Sequence, residues 1–348
     1  MKRLMVDVLI VSLGSTSGLR AADEELRGSL ERAGASVELV SAAAPAQVRT
    51  LMLTDLRWAL AARRAASAAL RSIPARAVIY SSTTAALLWP RVGAVRFDAP
   101  SAGNRPGRHG LWQRPLERRR ARQAQLLLPW SEGGLAELPT AAGASSEHAQ
   151  AAWADRALVL PVPVEPSGPP EGERDIAAIT YAANPSKKGL DRVLTAWRQV
   201  HGPGEELVVA GVDPRDLAEA EFAFADEGVR VTGLLAPNEY RALLRRSRVF
   251  VIAPRREDYG MAQLEALADG CQLVTNAAPG PYAALPLART LDPRLVGDDL
   301  GVALRAALDE PRADYAARAQ QALEPFRREA VDRLVAEDLL PRLLSASV

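Results

Sequence analysis

The stretch Ala253-Pro254-Arg255-Arg256-Glu257-Asp258-Tyr259-Gly260-Met261-Ala262-Gln263-Leu264-Glu265-Ala266-Leu267-Ala268-Asp269-Gly270 sets two glutamates, Glu257 and Glu265, with seven residues between them. The apolar run Val249–Ala253 before it reads as a buried strand, and Gly260–Asp269 reads as a helix. Glu257 then falls in the loop after a strand, and Glu265 falls inside the helix. A helix start offers unpaired backbone N–H groups and a positive dipole end, which suit a phosphate. A carboxylate one or two turns further in can accept hydrogen bonds from sugar hydroxyls beside that phosphate. Glu257 and Asp258 would also suit a helix N-terminus with no ligand at all. Glu265 is different, because it runs into Ala266-Leu267-Ala268, a small apolar surface beside which a carboxylate needs a partner. Phosphate donors and hydroxyl acceptors at this spacing suggest a nucleotide-sugar site.

The same plan repeats in both halves of the 348-residue chain. In the first half the strand candidates are Met5–Leu13, Ser36–Val40, Ala77–Tyr80, Ala94–Phe97, Leu126–Pro129 and Ala157–Leu160. They are continuous apolar runs, as parallel strands covered on both faces should be. Helical patterns cover Leu19–Ala33, stopped by Gly34, and Leu51–Ser72, stopped before Pro74. In the second half the strands are Ile176–Ala182, Glu206–Ala210, Val229–Thr232, Val249–Ala253 and Gln272–Thr275. The helices between them are Lys188–Val200, Pro214–Ala225, Pro237–Ser247 and Gly260–Asp269. Strands alternating with helices imply doubly wound α/β sheets with ligands at the carboxyl ends of the strands.

The length fits two domains. Pro161-Val162-Pro163-Val164-Glu165-Pro166-Ser167-Gly168-Pro169-Pro170-Glu171-Gly172 has no periodicity and reads as the connection between them. The expected organisation is a Rossmann-like domain over 1–163, a linker over 164–175, a second Rossmann-like domain over 176–324, and a returning C-terminal helix over 325–348. Helical sequence runs from about Asp298 to Ala346, with a kink at Pro325. Two such domains create a cleft of the kind in which ligands bind.

Composition excludes several function classes. The one cysteine, Cys271, allows no internal disulfide and fits a reducing compartment, so the expected location is the cytoplasm. The histidines His109, His148 and His201 lack metal-ligand spacing, and no Cys/His cluster exists. No apolar run reaches the length of a membrane span, and Asp7 interrupts the apolar start, which reads as a first strand rather than a signal peptide. The net charge of +1 conceals an asymmetry: residues 1–163 carry 21 Lys+Arg against 13 Asp+Glu, and residues 164–348 carry 22 against 29. A basic half suggests a meeting with something anionic; compositional drift in an Arg-rich chain would produce the same figures.

Two further segments could carry chemistry. Gly14-Ser15-Thr16-Ser17-Gly18 follows the first strand and precedes a helix, so its backbone could approach a phosphate. It lacks the full dinucleotide fingerprint, and an ordinary strand-to-helix turn would look the same. Asn184-Pro185-Ser186-Lys187-Lys188-Gly189 follows the first strand of the second half. A lysine there can reach a diphosphate as a point charge. A cation beside the positive end of a helix is otherwise mildly unfavourable.

The run from Glu257 to Gly270 resembles a family pattern: glutamate, Gly-Phe-Gly, a few apolar residues, then glutamate-Ala-Met-Ala-x-Gly. That pattern marks retaining GT-B glycosyltransferases, especially family 4. The resemblance extends over the second half through Ala210-Gly211-Val212, Val229–Gly233, Pro237-Asn238-Glu239-Tyr240, Val249–Pro254 and the loop Asn276-Ala277-Ala278-Pro279-Gly280. It implies that Glu265 binds the ribose hydroxyls and Glu257 the donor sugar. It gives the diphosphate to Lys188, helped by the Gly260 and Met261 amides, and brings in Gly14 and Ser15 from the first domain. Asn184, Lys187, Arg255, Tyr259 and Gly280 complete the expected donor site. No resident cofactor and no metal are expected; the substrate is a nucleotide-diphosphate sugar. The implied mechanism is same-face attack, with the departing diphosphate taking the acceptor's proton.

This sequence departs from the pattern in places. The usual arginine shortly before Lys-Gly is missing from Tyr181-Ala182-Ala183-Asn184-Pro185, so Lys187, Arg255 or Arg256 would have to substitute. Phe97 stands where the family has histidine, which leaves Asp98 or His109 as candidate catalytic groups beside Glu257 and Lys188. These departures keep open a second reading, an inactive GT-B relative that acts as a binding or scaffold partner.

The acceptor side is less legible. Residues 104–122 hold seven arginines against one glutamate, Glu117, together with Leu111, Trp112 and Leu116. Such a surface attracts anionic lipid headgroups or phosphate-bearing acceptors, and equally could be a solvated helix face. The expectation is an anionic or lipid-linked acceptor, with peripheral contact at the inner face of the membrane. Nucleic acid fits poorly, because the basic residues lack interleaved aromatics.

Overall fold

The computed structural model describes residues 5–46, 48, 50–105, 107–138, 153–169, 174–219 and 228–345. The chain forms two compact units, Met1–Pro163 with Phe326–Val348, and Val164–Pro325. Each is built on a five-stranded parallel sheet covered by helices.

In the first unit the strands are β1 (Val6–Ser12), β2 (Val37–Ser41), β3 (Ala75–Tyr80), β4 (Ala94–Phe97) and β5 (Leu127–Pro129), in the order β2-β1-β3-β4-β5. The continuous apolar runs are explained by burial on both faces. Val8 and Ile10 of β1 face one core with Leu26 and Leu30, whereas Leu9 and Val11 face another with Ala62, Ala66 and Ala121. The helices are α1 (Ser17–Arg32), α2 (Leu51–Ser72), α3 (Thr83–Ala86), α4 (Ser101–Asn104), α5 (Gln113–Gln123) and α6 (Glu132–Ala136). The sixth expected strand, Ala157–Leu160, is not one. It makes a single bridge, Leu127 to Ala157, and the Leu158 and Leu160 amides donate to Leu127 and Pro129. Two residues of alternate contact do not extend the sheet.

The chain returns to this unit through α15 (Arg328–Leu334), a wide turn over Val335–Leu339, and α16 (Leu340–Ser345). Val331, Val335, Leu339 and Leu343 recur at helical spacing and complete the core under Val8 and Ile10. Arg328 pairs with Glu25 at 2.7 Å, and Arg32 with Asp332 at 2.6 Å, across the α1–α15 seam.

In the second unit the strands are β6 (Ile176–Tyr181), β7 (Leu207–Ala210), β8 (Val229–Gly233), β9 (Ser247–Ile252) and β10 (Gln272–Thr275), in the order β10-β9-β6-β7-β8. The helices in chain order are α7 (Pro185–Lys188), α8 (Leu190–Val200), α9 (Pro214–Glu219), α10 (Pro237–Arg246), α11 (Met261–Ala268), α12 (Ala284–Leu291), α13 (Leu300–Asp309) and α14 (Tyr315–Ala322). The chain leaves β6 toward β7 and β8 on one side and β9 and β10 on the other. The switch point where such sheets bind ligands therefore lies between β6 and β9. The expected end of the helix Pro214–Ala225 and the Pro170-Glu171-Gly172 part of the connecting stretch lie outside the described residues, as do His148 and the first four residues. The described part of 164–175 is tied to the second unit. Arg241 donates to the Glu165 carbonyl at 2.7 Å, the Ser167 amide donates to Asp269 at 2.8 Å, and Arg174 donates to the Asp269 carbonyl at 2.6 Å.

Candidate functional site

At the carboxyl end of β6, the Asn184 side chain accepts from the Lys187 amide at 3.0 Å and caps the single turn α7. Pro185 supplies the fixed φ of its first position. Gly189 then turns left-handed at φ 69°, and a Cβ there would lie 1.9 Å from the Ala253 carbonyl oxygen. Only glycine lets the chain after Lys188 press this closely against the end of β9.

That contact brings the two motifs together. Lys188 Nζ lies 2.7 Å from Glu257 Oε2, with side chains 19% and 5% exposed. Lys187 Nζ lies 2.8 Å from Asp258 Oδ2, and the Arg255 amide donates to the Lys187 carbonyl at 3.0 Å. Glu257 is held on three more sides. Its amide donates to the Pro279 carbonyl at 3.0 Å. Gln263 Nε2 donates to Oε2 at 2.9 Å. Gly280, at φ 115°, packs so close that a Cβ would lie 2.2 Å from the Glu257 carbonyl. Gln263 also reaches the Tyr282 hydroxyl at 3.3 Å, which lies 2.9 Å from Thr275 Oγ1 at the end of β10.

The arginines expected to stand in for the missing one are already paired. Arg255 contacts Asp191 at 2.9 Å and Arg256 contacts Asp258 at 3.1 Å. Tyr259 is 4% exposed and its carbonyl accepts from the Ala283 amide, so its ring belongs to the packing under the loop. Gly260 is the N-cap of α11, and no side chain caps that helix start.

Glu265 occupies a separate surroundings on α11. Arg241 Nη1 is 3.8 Å away, beyond hydrogen-bond reach, because its guanidinium is turned to Asp269 at 2.6 Å. Burial pushes the Glu265 carboxyl up to about 6; Arg241 opposes the shift and Asp269 adds to it. Tyr181, at the end of β6, and Tyr240, on α10, lie beside it with ring centroids 5.1 Å apart, and the charge of Glu265 helps raise both phenols, after burial. The buried Tyr240 hydroxyl has no hydrogen-bond partner among the described residues.

The first-unit candidates stand in their own surroundings. Gly14 has φ 58°, and its carbonyl accepts from Arg20 at 2.7 Å. Ser15 is exposed, and Thr16 caps α1 by accepting from the Leu19 amide at 3.2 Å, as an ordinary strand-to-helix turn does. Asp98 closes its own turn by accepting from the Ala99 amide at 2.8 Å. His109 is exposed on the turn Gly107–Gly110. Phe97 is buried in the core.

Sequence reasoning missed Gln263, Tyr282, Arg241 and the Tyr181–Tyr240 pair. Gln263 lies inside the opening stretch, six positions after Glu257, and a polar residue among Ala262, Leu264 and Ala266 was its signal. Arg241 and Tyr282 carried none, since each acts through contacts distant in sequence. Among the described residues no group of three or more His, Cys, Asp or Glu could hold a metal ion, and no helix is long and apolar enough to cross a membrane.

Residues 174–293 match the family model of glycosyl transferases group 1. No curated protein matches the sequence. Among solved structures, sucrose-phosphate synthase from Thermosynechococcus elongatus superposes with a TM-score of 0.72 at 16% identity, covering 99% of this chain and 100% of that one. WaaG, a glycosyltransferase involved in lipopolysaccharide biosynthesis, gives 0.68 at 15% identity over 98% of each chain. HepE of Anabaena, in complex with UDP and glucose, gives 0.66 at 13% identity over 97% of this chain and 99% of that one. The fold shared along the whole chain is GT-B, and the second unit carries the group 1 region. The chain therefore has the fold of GT-B glycosyltransferases, and its residues 174–293 resemble the glycosyl transferases group 1 family.

Proposed function

We propose that this protein moves a hexose from a nucleoside-diphosphate sugar to a hydroxyl acceptor, with retention of configuration and without a metal ion. The observation that carries the reading is the meeting of Lys188 and Glu257 at the β6–β9 switch point, within the region that matches the family model. Lys188 would hold the diphosphate, with the Gly260 and Met261 amides and Lys187 beside it. Glu257 would hold sugar hydroxyls, with Gly280 keeping its backbone in place. Glu265 would accept from the ribose hydroxyls, and the Tyr240 hydroxyl would find its partner in the nucleotide. HepE holds UDP and glucose in its structure, which supports a nucleoside diphosphate as the ligand class.

Glu257 is paired with Lys188. Donor binding would exchange that carboxylate for a phosphate and turn Glu257 toward the sugar. In the transfer step the bond from the anomeric carbon to the leaving phosphate oxygen breaks as the bond to the acceptor oxygen forms on the same face. The acceptor's proton passes to the leaving diphosphate. Lys188 contributes by stabilising charge that grows on that leaving group, and the site contributes by fixing geometry.

A second reading is an inactive binding or scaffold partner. Its support is Phe97, buried where the family has histidine, and the prior engagement of Arg255 and Arg256 with carboxylates. Thermal shift against UDP, GDP and ADP and their sugar conjugates, followed by an assay for released nucleotide with chelator present, separates the two. The transferase reading expects one nucleotide to stabilise the protein, an effect lost in Glu265→Ala, and turnover that survives the chelator. Binding without turnover of any conjugate would favour the scaffold.

A further inference from the structure

The helical layer made by α2 and α5 on one face of the first sheet differs in charge from the layer on the other face. The segments 51–72 and 101–123 together contain eleven arginines and two carboxylates. Both carboxylates are inside: Asp55 is 6% exposed and bound by Arg105 at 2.6 Å and by Gln113, and Glu117 is 3% exposed and accepts from Ser101. The outer surface of this layer therefore presents cations with no exposed acid on its own helices. The opposite layer, α1 with α15 and α16, mixes the signs, with Arg27, Arg32 and Arg328 paired to Glu24, Asp332 and Glu25.

The two helices flank the same short segment. Arg63 of α2 donates to the Leu88 carbonyl at 3.0 Å and Arg120 of α5 to the Leu87 carbonyl at 2.8 Å. Their solvent faces have a helical register. On α2 it runs Leu53, Arg57, Leu60, Arg64 and Arg71, all exposed; on α5 it includes Arg118, Arg119 and Arg122, all exposed. Leu53, Leu60 and Leu111, the last at the head of α5, are 46%, 36% and 63% exposed.

We propose that this α2–α5 face docks on an anionic bilayer surface. The arginines attract acidic headgroups, and the leucines set between them enter the interface. Charge complementarity alone would serve any polyanion. The interleaved leucines favour a bilayer, because a polyphosphate chain offers them no apolar phase. The placement needs nothing from the donor site, so it stands or falls apart from the proposed transfer reaction.

The test is flotation of the intact protein with vesicles of phosphatidylcholine alone or with a substantial admixture of anionic lipid, at low and physiological salt. Binding is expected only with anionic lipid, and part of it should persist at physiological salt. Arg118→Glu with Arg119→Glu and Arg122→Glu should weaken partitioning by roughly tenfold or more. Leu53→Ser with Leu60→Ser should remove the salt-resistant part and leave the low-salt part. Both sets lie on solvent faces, and an unchanged thermal transition verifies folding. Absence of binding to anionic vesicles, equal binding by the leucine variant at physiological salt, or preferential capture by soluble RNA would each overturn the proposal.

Discussion

Lys188 Nζ and Glu257 Oε2 stand 2.7 Å apart although they are 69 positions apart in sequence, and the carboxylate is almost fully buried. Removal of either partner leaves the other charge exposed to a desolvated setting. Lys188→Ala should reduce turnover about a hundredfold or more and lower stability by about 2 kcal/mol. Adding Glu257→Gln to Lys188→Ala should restore most of the stability and none of the turnover. Chemical denaturation beside a nucleotide-release assay measures both. Recovered activity in the double variant would show that the lysine acts only as a structural counter-ion.

Glu265 links pH to both stability and binding. Its carboxyl is raised above the ordinary value of 4.5 to about 6, chiefly by burial. The folded state therefore holds the proton more tightly than the unfolded state, and ionisation of this group opposes folding. The penalty is absent below pH 4.5, grows between 4.5 and 6, and reaches at most about 2 kcal/mol above that. Glu265→Gln should raise Tm at pH 8 and leave it unchanged near pH 4. Only the ionised carboxylate can accept from two ribose hydroxyls, so affinity for a nucleotide sugar should fall up to about tenfold between pH 7 and pH 5. The sugar conjugate is the ligand to use, since its diphosphate has no terminal ionisation in that range. A flat profile in calorimetry would remove Glu265 from the ribose role.

Gly189 sets how near Lys188 comes to the end of β9. Alanine there must adopt a left-handed φ and also displace the Ala253 carbonyl, 1.9 Å from its Cβ. The combined penalty is about 2–4 kcal/mol. Gly204 has φ 77° with nothing within 4 Å of a Cβ, so Gly204→Ala isolates the conformational part, about 1 kcal/mol. Equal midpoints for the two variants in urea would mean that close approach is not what glycine supplies at 189.

The alternation of apolar runs with helical patterns made both sheets legible, because parallel strands are covered on two faces and need no polar residues. The stretch from Ala253 to Gly270 and the Asn184–Gly189 turn stood out by their glutamate spacing and their lysines, whereas the capping role of Asn184 and the close approach at Gly189 became visible only in the structure. Ala157–Leu160 misled because an apolar run adjacent to a sheet looks the same whether it adds a strand or only touches one. The site's supporting contacts were hidden. Arg241 meets Asp269 and Tyr282 meets Gln263 through tertiary packing, and no local pattern encodes either meeting. The pairing of Arg255 with Asp191 was hidden in the same way.

The first unit holds a charge pair that offers a separate test of how its switch point is built. Arg96 on β4 and Asp23 on α1 are both 1% exposed, with Arg96 Nη1 3.4 Å from Asp23 Oδ1. Ser12 and Ser81, at the carboxyl ends of β1 and β3, donate hydroxyls to the same carboxylate, the latter at 3.0 Å. Burial raises the Asp23 carboxyl, while Arg96 and the two serines draw it back. Arg96 also lies 4.8 Å from the centre of the Trp130 ring. Arg96→Met would leave a carboxylate in the interior without its cation, which costs about 3 kcal/mol. Asp23→Asn added to it should recover most of that loss, because the amide keeps the serine contacts without a charge. Hydrogen exchange reads the result by region: protection should fall in residues 6–32 and 75–97 of the single variant and return in the double. An unchanged exchange pattern in Arg96→Met would mean that the serines satisfy the carboxylate without the arginine, whose other contacts include the Ala22 carbonyl at 3.2 Å and the Trp130 ring.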